Sequence, residues 1–331
     1  MRRLALFVVV AGAVLAPATP AFAHGGDAPE ATAYRTTVTG LSTPEKGLAV
    51  RTVEAGARLE LTNHTGHSVE VLGYAGEPYL DVRPDGTYQN VNSPAAYLNA
   101  TLSGDNPVPS SADPTAPPVW RKISTATTVR WHDQRTHWLS PGVPPAAAAD
   151  PTRVHRLRDW TVPLREQARV FEVSGTLDWV PPPRAGLWWL GAGLLGLAAI
   201  GLAQRWSGTI RPLTLLAGLA PLAYAVTRAA DGGSLPLVLI PAGLLALAAA
   251  WRHPPFFLAL SGAVVAIFGG FNYASAFRAG VLPAAGPGWI ARSLVLISAG
   301  LGAGLAVAGL VRLRRVPASQ PAPAGGLSSS A

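Results

Sequence analysis

Phe171-Glu172-Val173-Ser174-Gly175-Thr176-Leu177-Asp178-Trp179, then Pro181-Pro182-Pro183, then Leu187-Trp188-Trp189-Leu190: within residues 171–190 the chain changes character twice. The first piece alternates with period two. Phe171, Val173, Gly175, Leu177 and Trp179 fall on one face, and Glu172, Ser174, Thr176 and Asp178 on the other, which predicts a half-buried strand. The proline run is a stiff stalk. The last piece opens the first of several long apolar runs. This one stretch therefore predicts a β-rich domain joined to a membrane-spanning region.

Upstream, more short alternating runs support the first half of that reading. Arg58-Leu59-Glu60-Leu61-Thr62 and Val69-Glu70-Val71 alternate, and Pro84-Asp85-Gly86 is a turn signal between Leu80–Val82 and Thr87–Tyr88. Trp160–Leu164 is expected to pair with Phe171–Trp179 through a turn at Glu166-Gln167. Asn63-His64-Thr65-Gly66-His67 reads as a hairpin turn with exposed histidines. Ser93-Pro94 fits a helix N-cap and first-turn proline. Asp105–Pro118 and Pro141–Pro151 read as long loops. Short strands with frequent Gly, Pro and Asn punctuation predict an all-β antiparallel sandwich, Ig-like or cupredoxin-like.

Downstream, five apolar segments stand out: Leu187–Ala203, Leu213–Thr227, Leu235–Trp251, Phe256–Ala276 and Ile290–Val311. A spanning helix needs roughly 20 residues. The second run reaches that length only by extending to Ile210 and Ala230. Gly300 and Gly304 form a Gly-x-x-x-Gly pair suited to close helix packing. Arg292, near an end of the last run, is expected to snorkel.

The amino terminus has the pattern of an export signal: Arg2 and Arg3, the apolar run Leu4–Ala16, and Ala21-Phe22-Ala23 before the cleavage point. The expected organisation is a signal peptide at 1–23, an extracytoplasmic sandwich at 24–183, a five-helix transmembrane domain at 184–315 and a disordered cytoplasmic tail at 316–331. With the sandwich outside, the inner loops and tail hold Arg205, Arg211, Arg252, Arg312, Arg314 and Arg315, against Arg228 and Arg278 outside. That is the positive-inside distribution. The expected location is the cell membrane, multi-pass, with the C-terminus in the cytoplasm and the lipid bilayer as first partner.

The formal net charge of +8 divides unevenly. Residues 24–185 carry 15 Lys and Arg against 17 Asp and Glu, whereas residues 186–331 carry nine Arg against Asp231 alone. The excess cation thus flanks apolar segments, and a nucleic-acid-binding face is not supported. The absence of cysteine excludes disulfides, thiolate metal sites and cysteine nucleophiles. The single methionine is Met1, so a Met-rich Cu(I) site is excluded after cleavage. Within the apolar runs there is no carboxylate or His of the kind that couples transport to ions. No serine-hydrolase elbow, zincin helix or phosphate loop is present, so an enzyme ranks third among function classes.

Six of the seven histidines precede the apolar runs. Cleavage before His24 exposes its α-amine and imidazole together, which chelate one metal through two nitrogens. A third nitrogen completes a set suited to Cu(II), which favours tetragonal N and O ligation. Trp131-His132-Asp133-Gln134-Arg135-Thr136-His137-Trp138 supplies the candidates. His132 and His137 converge only across a turn, and Asp133 is a candidate partner behind them. A purely structural loop, with both tryptophans packed inward, is the competing reading. His64 and His67 are reserve ligands. The alternative to a copper-binding envelope protein is a metal-free scaffold that docks another envelope protein. Glu77 is expected to pair with an arginine.

Leu72-Gly73-Tyr74-Ala75-Gly76-Glu77-Pro78-Tyr79-Leu80, Ser93-Pro94-Ala95-Ala96-Tyr97-Leu98-Asn99 and Trp131–Trp138 resemble segments of a family of actinobacterial exported membrane proteins with no assigned activity. The layout is also similar to CopC/CopD-type copper-resistance fusions, in which a signal junction exposes a His on a β-sandwich preceding membrane helices. That resemblance implies an extracytoplasmic copper site at His24.

Overall fold

The computed structural model describes residues 31–252 and 254–315. The expected signal peptide, His24 and the tail after Arg315 lie outside the described residues. These residues form two compact units. One contains Tyr34–Pro144 and Arg156–Asp178; the other contains Ala31–Ala33, Pro145–His155 and the chain from Trp179 onward.

The first unit is built on antiparallel strands in two sheets. Strands β1 (Tyr34–Leu41), β4 (Val69–Leu72), β5 (Pro78–Arg83), β6 (Gly86–Asn90), β7 (Trp120–Ser124), β9 (His155–Glu166) and β10 (Arg169–Trp179) form a seven-stranded sheet in the order β1-β10-β9-β4-β5-β6-β7. Strands β2 (Leu48–Val53), β3 (Arg58–Asn63) and β8 (Thr128–Trp131) form a second sheet in the order β2-β3-β8. Leu59, Leu61, Val129 and Trp131 of the smaller sheet share one apolar core with Val71, Leu80, Val82, Val162, Leu164, Val173 and Leu177 of the larger. The period-two pattern of β10 is realised as read: Phe171, Val173, Gly175 and Leu177 are buried, and Glu172 is exposed. It pairs with β9 across Gln167-Ala168, where Gln167 takes a left-handed backbone with φ 54°.

Two local expectations change. Asn63–His67 is not a hairpin, because β3 and β4 belong to different sheets. The chain crosses there, and buried Asn63 holds the corner by donating from Nδ2 to the carbonyls of His67 and Val82, both at 2.7 Å. Within Pro141–Pro151, Pro145–Ala149 forms a short helix rather than loop. The proposed cap at Ser93 is present: its Oγ accepts from the Ala95 N–H at 3.2 Å and opens helix α1 (Ala95–Leu98). The helix at Pro145–Ala149 is α2.

The second unit carries the apolar helices α3 (Ala185–Arg205), α4 (Ile210–Ala230), α5 (Leu239–Arg252), α6 (Pro255–Val264) and α7 (Gly288–Arg314). α4 has the extended bounds that the short second run required. Among the described residues, four helical stretches are long and apolar enough to cross a membrane: α3, Ser207–Ala230, Pro255–Phe277 and α7. This is a multi-pass membrane protein. α5 is shorter, and its non-helical start at Gly233–Pro236 includes a proline. α6 does not run through as a plain α-helix; it passes into a π turn at Val265–Gly270 and a 3-10 stretch at Phe271–Phe277. Arg292 is buried rather than snorkelling. It donates to the carbonyls of Ala276, Ala279 and Gly280 at 3.0, 2.6 and 3.0 Å, groups left open where that helix ends.

Candidate functional site

The site residues are set by three chain segments: the turn between β2 and β3, the Gly73–Glu77 loop, and the Asp133–His137 turn. In the first, Glu54, Ala55 and Gly56 all have positive φ, at 59°, 59° and 87°. Two adjacent non-glycine residues in that region store strain. The turn presents the Ala57 carbonyl. His132, buried at the end of β8, places Nδ1 2.7 Å from this carbonyl, and its Nε2 lies 3.1 Å from Arg58 Nε. A guanidinium only donates. Nε2 is therefore the acceptor and Nδ1 the donor, which fixes the orientation of the ring.

His137 sits across the 3-10 turn Gln134–Thr136. The turn is pinned from outside by Thr36, whose Oγ1 donates to the Thr136 carbonyl at 2.8 Å. The two histidines converge: His137 feels the His132 ring and the Ala57 carbonyl. Burial, and then His132, push the His137 imidazole down to about 4, against smaller opposing effects of Asp133 and the carbonyl. Its Nε2 is enclosed and has no hydrogen-bond partner among the described residues. At neutral pH the ring is uncharged, and this nitrogen is shielded from water.

Asp133 does not stand behind either histidine. Both its oxygens are taken by Arg135, and Oδ2 also accepts from Trp131 Nε1 at 3.1 Å. Arg135 continues to the Leu72 carbonyl at 3.1 Å and stacks on Tyr74 with its Cζ 4.9 Å from the ring centre, tying the two loops together. Among the described residues Glu77 makes no direct ion pair with an arginine, although Arg135 feels its charge. Its Oε1 accepts from Ser93 Oγ at 2.7 Å and its Oε2 from the Ala75 N–H at 2.9 Å. A Cβ at Gly73 would run into this carboxylate, so a side chain there would displace Glu77 from its present place.

A chain of ion pairs leads away from the histidines. Arg58 pairs with Glu54, Arg130 bridges Glu54 and Glu60, and Arg51 completes Glu60. Burial pushes the Glu60 carboxyl up, but hydrogen bonds from Arg51 and Arg130 outweigh it and hold Glu60 below its usual range. Cross-strand register makes this possible, since Glu60 lies opposite both Arg51 and Arg130.

Of the predicted site residues, His132 and His137 come together, while His64 and His67 are exposed on the sheet-to-sheet corner. Among the described residues, no group of three or more His, Asp or Glu side chains is arranged to hold a metal ion. Sequence reasoning missed the Ala57 carbonyl and Arg58. A visible clue was Arg58 on the polar face of an alternating strand, beside Glu60. The chain matches no family model, no curated protein and no solved structure.

Proposed function

We propose that the protein is a membrane-anchored envelope protein whose two sheets form an extracytoplasmic sandwich, and that this domain binds Cu(II) in envelope metal homeostasis. In this reading His24 supplies its α-amine and imidazole, and His137 Nε2 supplies the third nitrogen. The observation that carries it is the enclosed Nε2 of His137, which has no hydrogen-bond partner among the described residues and belongs to a neutral ring that needs no net proton loss to meet a metal. His132 is the poorer donor, because Arg58 holds its Nε2 and a fixed cation there opposes a dication. The ten residues from His24 to Tyr34 span at most about 33–36 Å when extended, ample for a small sandwich.

The test is Cu(II) titration of the full chain purified from membranes, with its N-terminus verified. Binding with a nitrogen-rich paramagnetic spectrum is expected, and it should weaken at least tenfold with one Ala inserted before His24 and likewise in His137→Ala. Equal affinity in all three proteins sinks the site. The second reading, a metal-free scaffold that docks another envelope protein, is favoured by the way the polar groups are already satisfied inside the domain, Asp133 by Arg135, Glu77 by Ser93, and His132 by the Ala57 carbonyl and Arg58. It predicts no tight copper binding in any of the three.

A further inference from the structure

The arginine-bearing end of the helical unit has properties of its own. Gly218 approaches Leu247, and Gly243 approaches Leu222, so α4 and α5 are antiparallel. Gly262 meets Gly302 and Ala306, while Gly309 meets Ala259, so α6 and α7 are antiparallel too. Gly196 meets Gly300, and Arg312 donates to the Ala203 carbonyl, so α3 and α7 run parallel. The C-termini of α3, α5 and α7 and the N-termini of α4 and α6 therefore share one end. It carries Arg205, Arg211, Arg252, Arg312, Arg314 and Arg315 and no carboxylate.

Two of these cations are posed rather than loose. Arg205 Cζ lies 5.6 Å from the Trp206 ring centre, and Arg211 Cζ lies 5.1 Å from that of Trp251. Both tryptophans are exposed, Trp251 to 76%, as suits rings seated at the headgroup level. A guanidinium laid on a ring keeps its N–H edge open, and that edge matches phosphate in a bidentate way. Arg205, Arg211, Arg252 and Arg314 are exposed and make no hydrogen bond or ion pair among the described residues. Four uncommitted guanidinium groups at one level of a bilayer protein call for anions.

We propose that this end is a binding surface for anionic phospholipid headgroups, with Arg205, Arg211 and Arg252 as its principal contacts. The inference does not depend on copper or on which side of the membrane this end faces. The occupant is lipid rather than free phosphate because the tryptophans bring acyl-chain contact beside the cations.

The full chain is reconstituted in nanodiscs of equal phosphatidylglycerol and phosphatidylcholine, then extracted, and the retained lipids are quantified by mass spectrometry. Retention of phosphatidylglycerol about tenfold over phosphatidylcholine is expected, given the roughly additive attraction of each surface cation. R205Q/R211Q/R252Q should abolish most of that preference, and R205K/R211K/R252K, which keeps the charge, should retain part of it. R184Q/R278Q, at the opposite helix ends, should leave it unchanged. Excess inorganic phosphate should not displace the retained lipid. Equal retention of the two lipids by the wild type overturns the proposal. So does equal loss of preference in R184Q/R278Q, or displacement by phosphate alone. If the glutamine variant fails to fold, the wild-type preference is followed against salt, and a preference insensitive to salt also overturns it.

Discussion

Arg135 grips both oxygens of Asp133, two residues before it in the chain, from Nε to Oδ1 and from Nη2 to Oδ2, each at 2.8 Å. Asp133 is fully buried, and the Arg135 side chain is only 20% exposed. Asp133→Ala leaves that guanidinium unpaired and is expected to destabilise the domain by about 3–5 kcal/mol. Arg135→Lys keeps the charge but loses the fork, at a cost of about 1–3 kcal/mol. Calorimetry of the detergent-solubilised chain checks both. An Asp133→Ala protein that melts like the wild type removes the pair from the account of stability.

His137 gives the domain an acid-sensitive term. An unfolded His titrates near 6.5, whereas folded His137 is pushed down to about 4. Between these values the unfolded chain binds a proton that the folded one refuses, so acid favours unfolding. Stability should be full above about pH 6.5 and fall by up to ~3 kcal/mol as the pH drops to about 4. With a chelator present, His137→Asn should flatten denaturation midpoints across that window. Glu60, whose folded value lies below its usual one, contributes stability that is lost only at lower pH.

Ala55 has a left-handed backbone with φ 59° and ψ 22°. Ala55→Gly removes a steric cost of about 1–2 kcal/mol and adds about 0.5–1 kcal/mol of chain entropy cost. A net gain of about 0.5–1 kcal/mol is expected, read as a small rise in melting temperature. A lower melting temperature would show that the turn carries no strain.

Gly175 allows β10 to pass close to Trp160. A Cβ there would run into the indole and the Thr37 carbonyl. Gly175→Ala should cost about 1–3 kcal/mol and red-shift Trp160 emission as the ring is pushed outward. Ser174→Ala, on the opposite face, should do neither.

Reporter fusions test the orientation of the helices. A fusion at Gly232, between α4 and α5, should signal from outside, and one after Ala331 from the cytoplasm. The opposite result at either point overturns the proposed topology.

Local chemistry made much of the fold readable. The alternation of Phe171–Trp179, the Pro84-Asp85-Gly86 turn, the Ser93 cap and the extension of α4 to Ile210 and Ala230 each follow from a few neighbouring residues. What escaped depends on long-range placement. Asn63–His67 has the composition of a hairpin, and only the sheet assignments of β3 and β4 show a crossing. Glu77 looked like an ion-pair partner, but its oxygens are satisfied by Ser93 and a backbone N–H. His132 is fixed by the carbonyl of Ala57, 75 residues earlier, and a carbonyl has no signature in sequence.

The short helix α5 bears on the lipid as much as on the protein. Its 14 residues rise about 21 Å, some 9 Å less than the ~30 Å of a bilayer's hydrocarbon layer. The segment before it, Gly233–Pro236, is not helical, so its peptide groups need water or protein partners that acyl chains cannot supply. The four longer apolar stretches therefore set the apolar height that this unit offers a bilayer, and α5 by itself falls short of it.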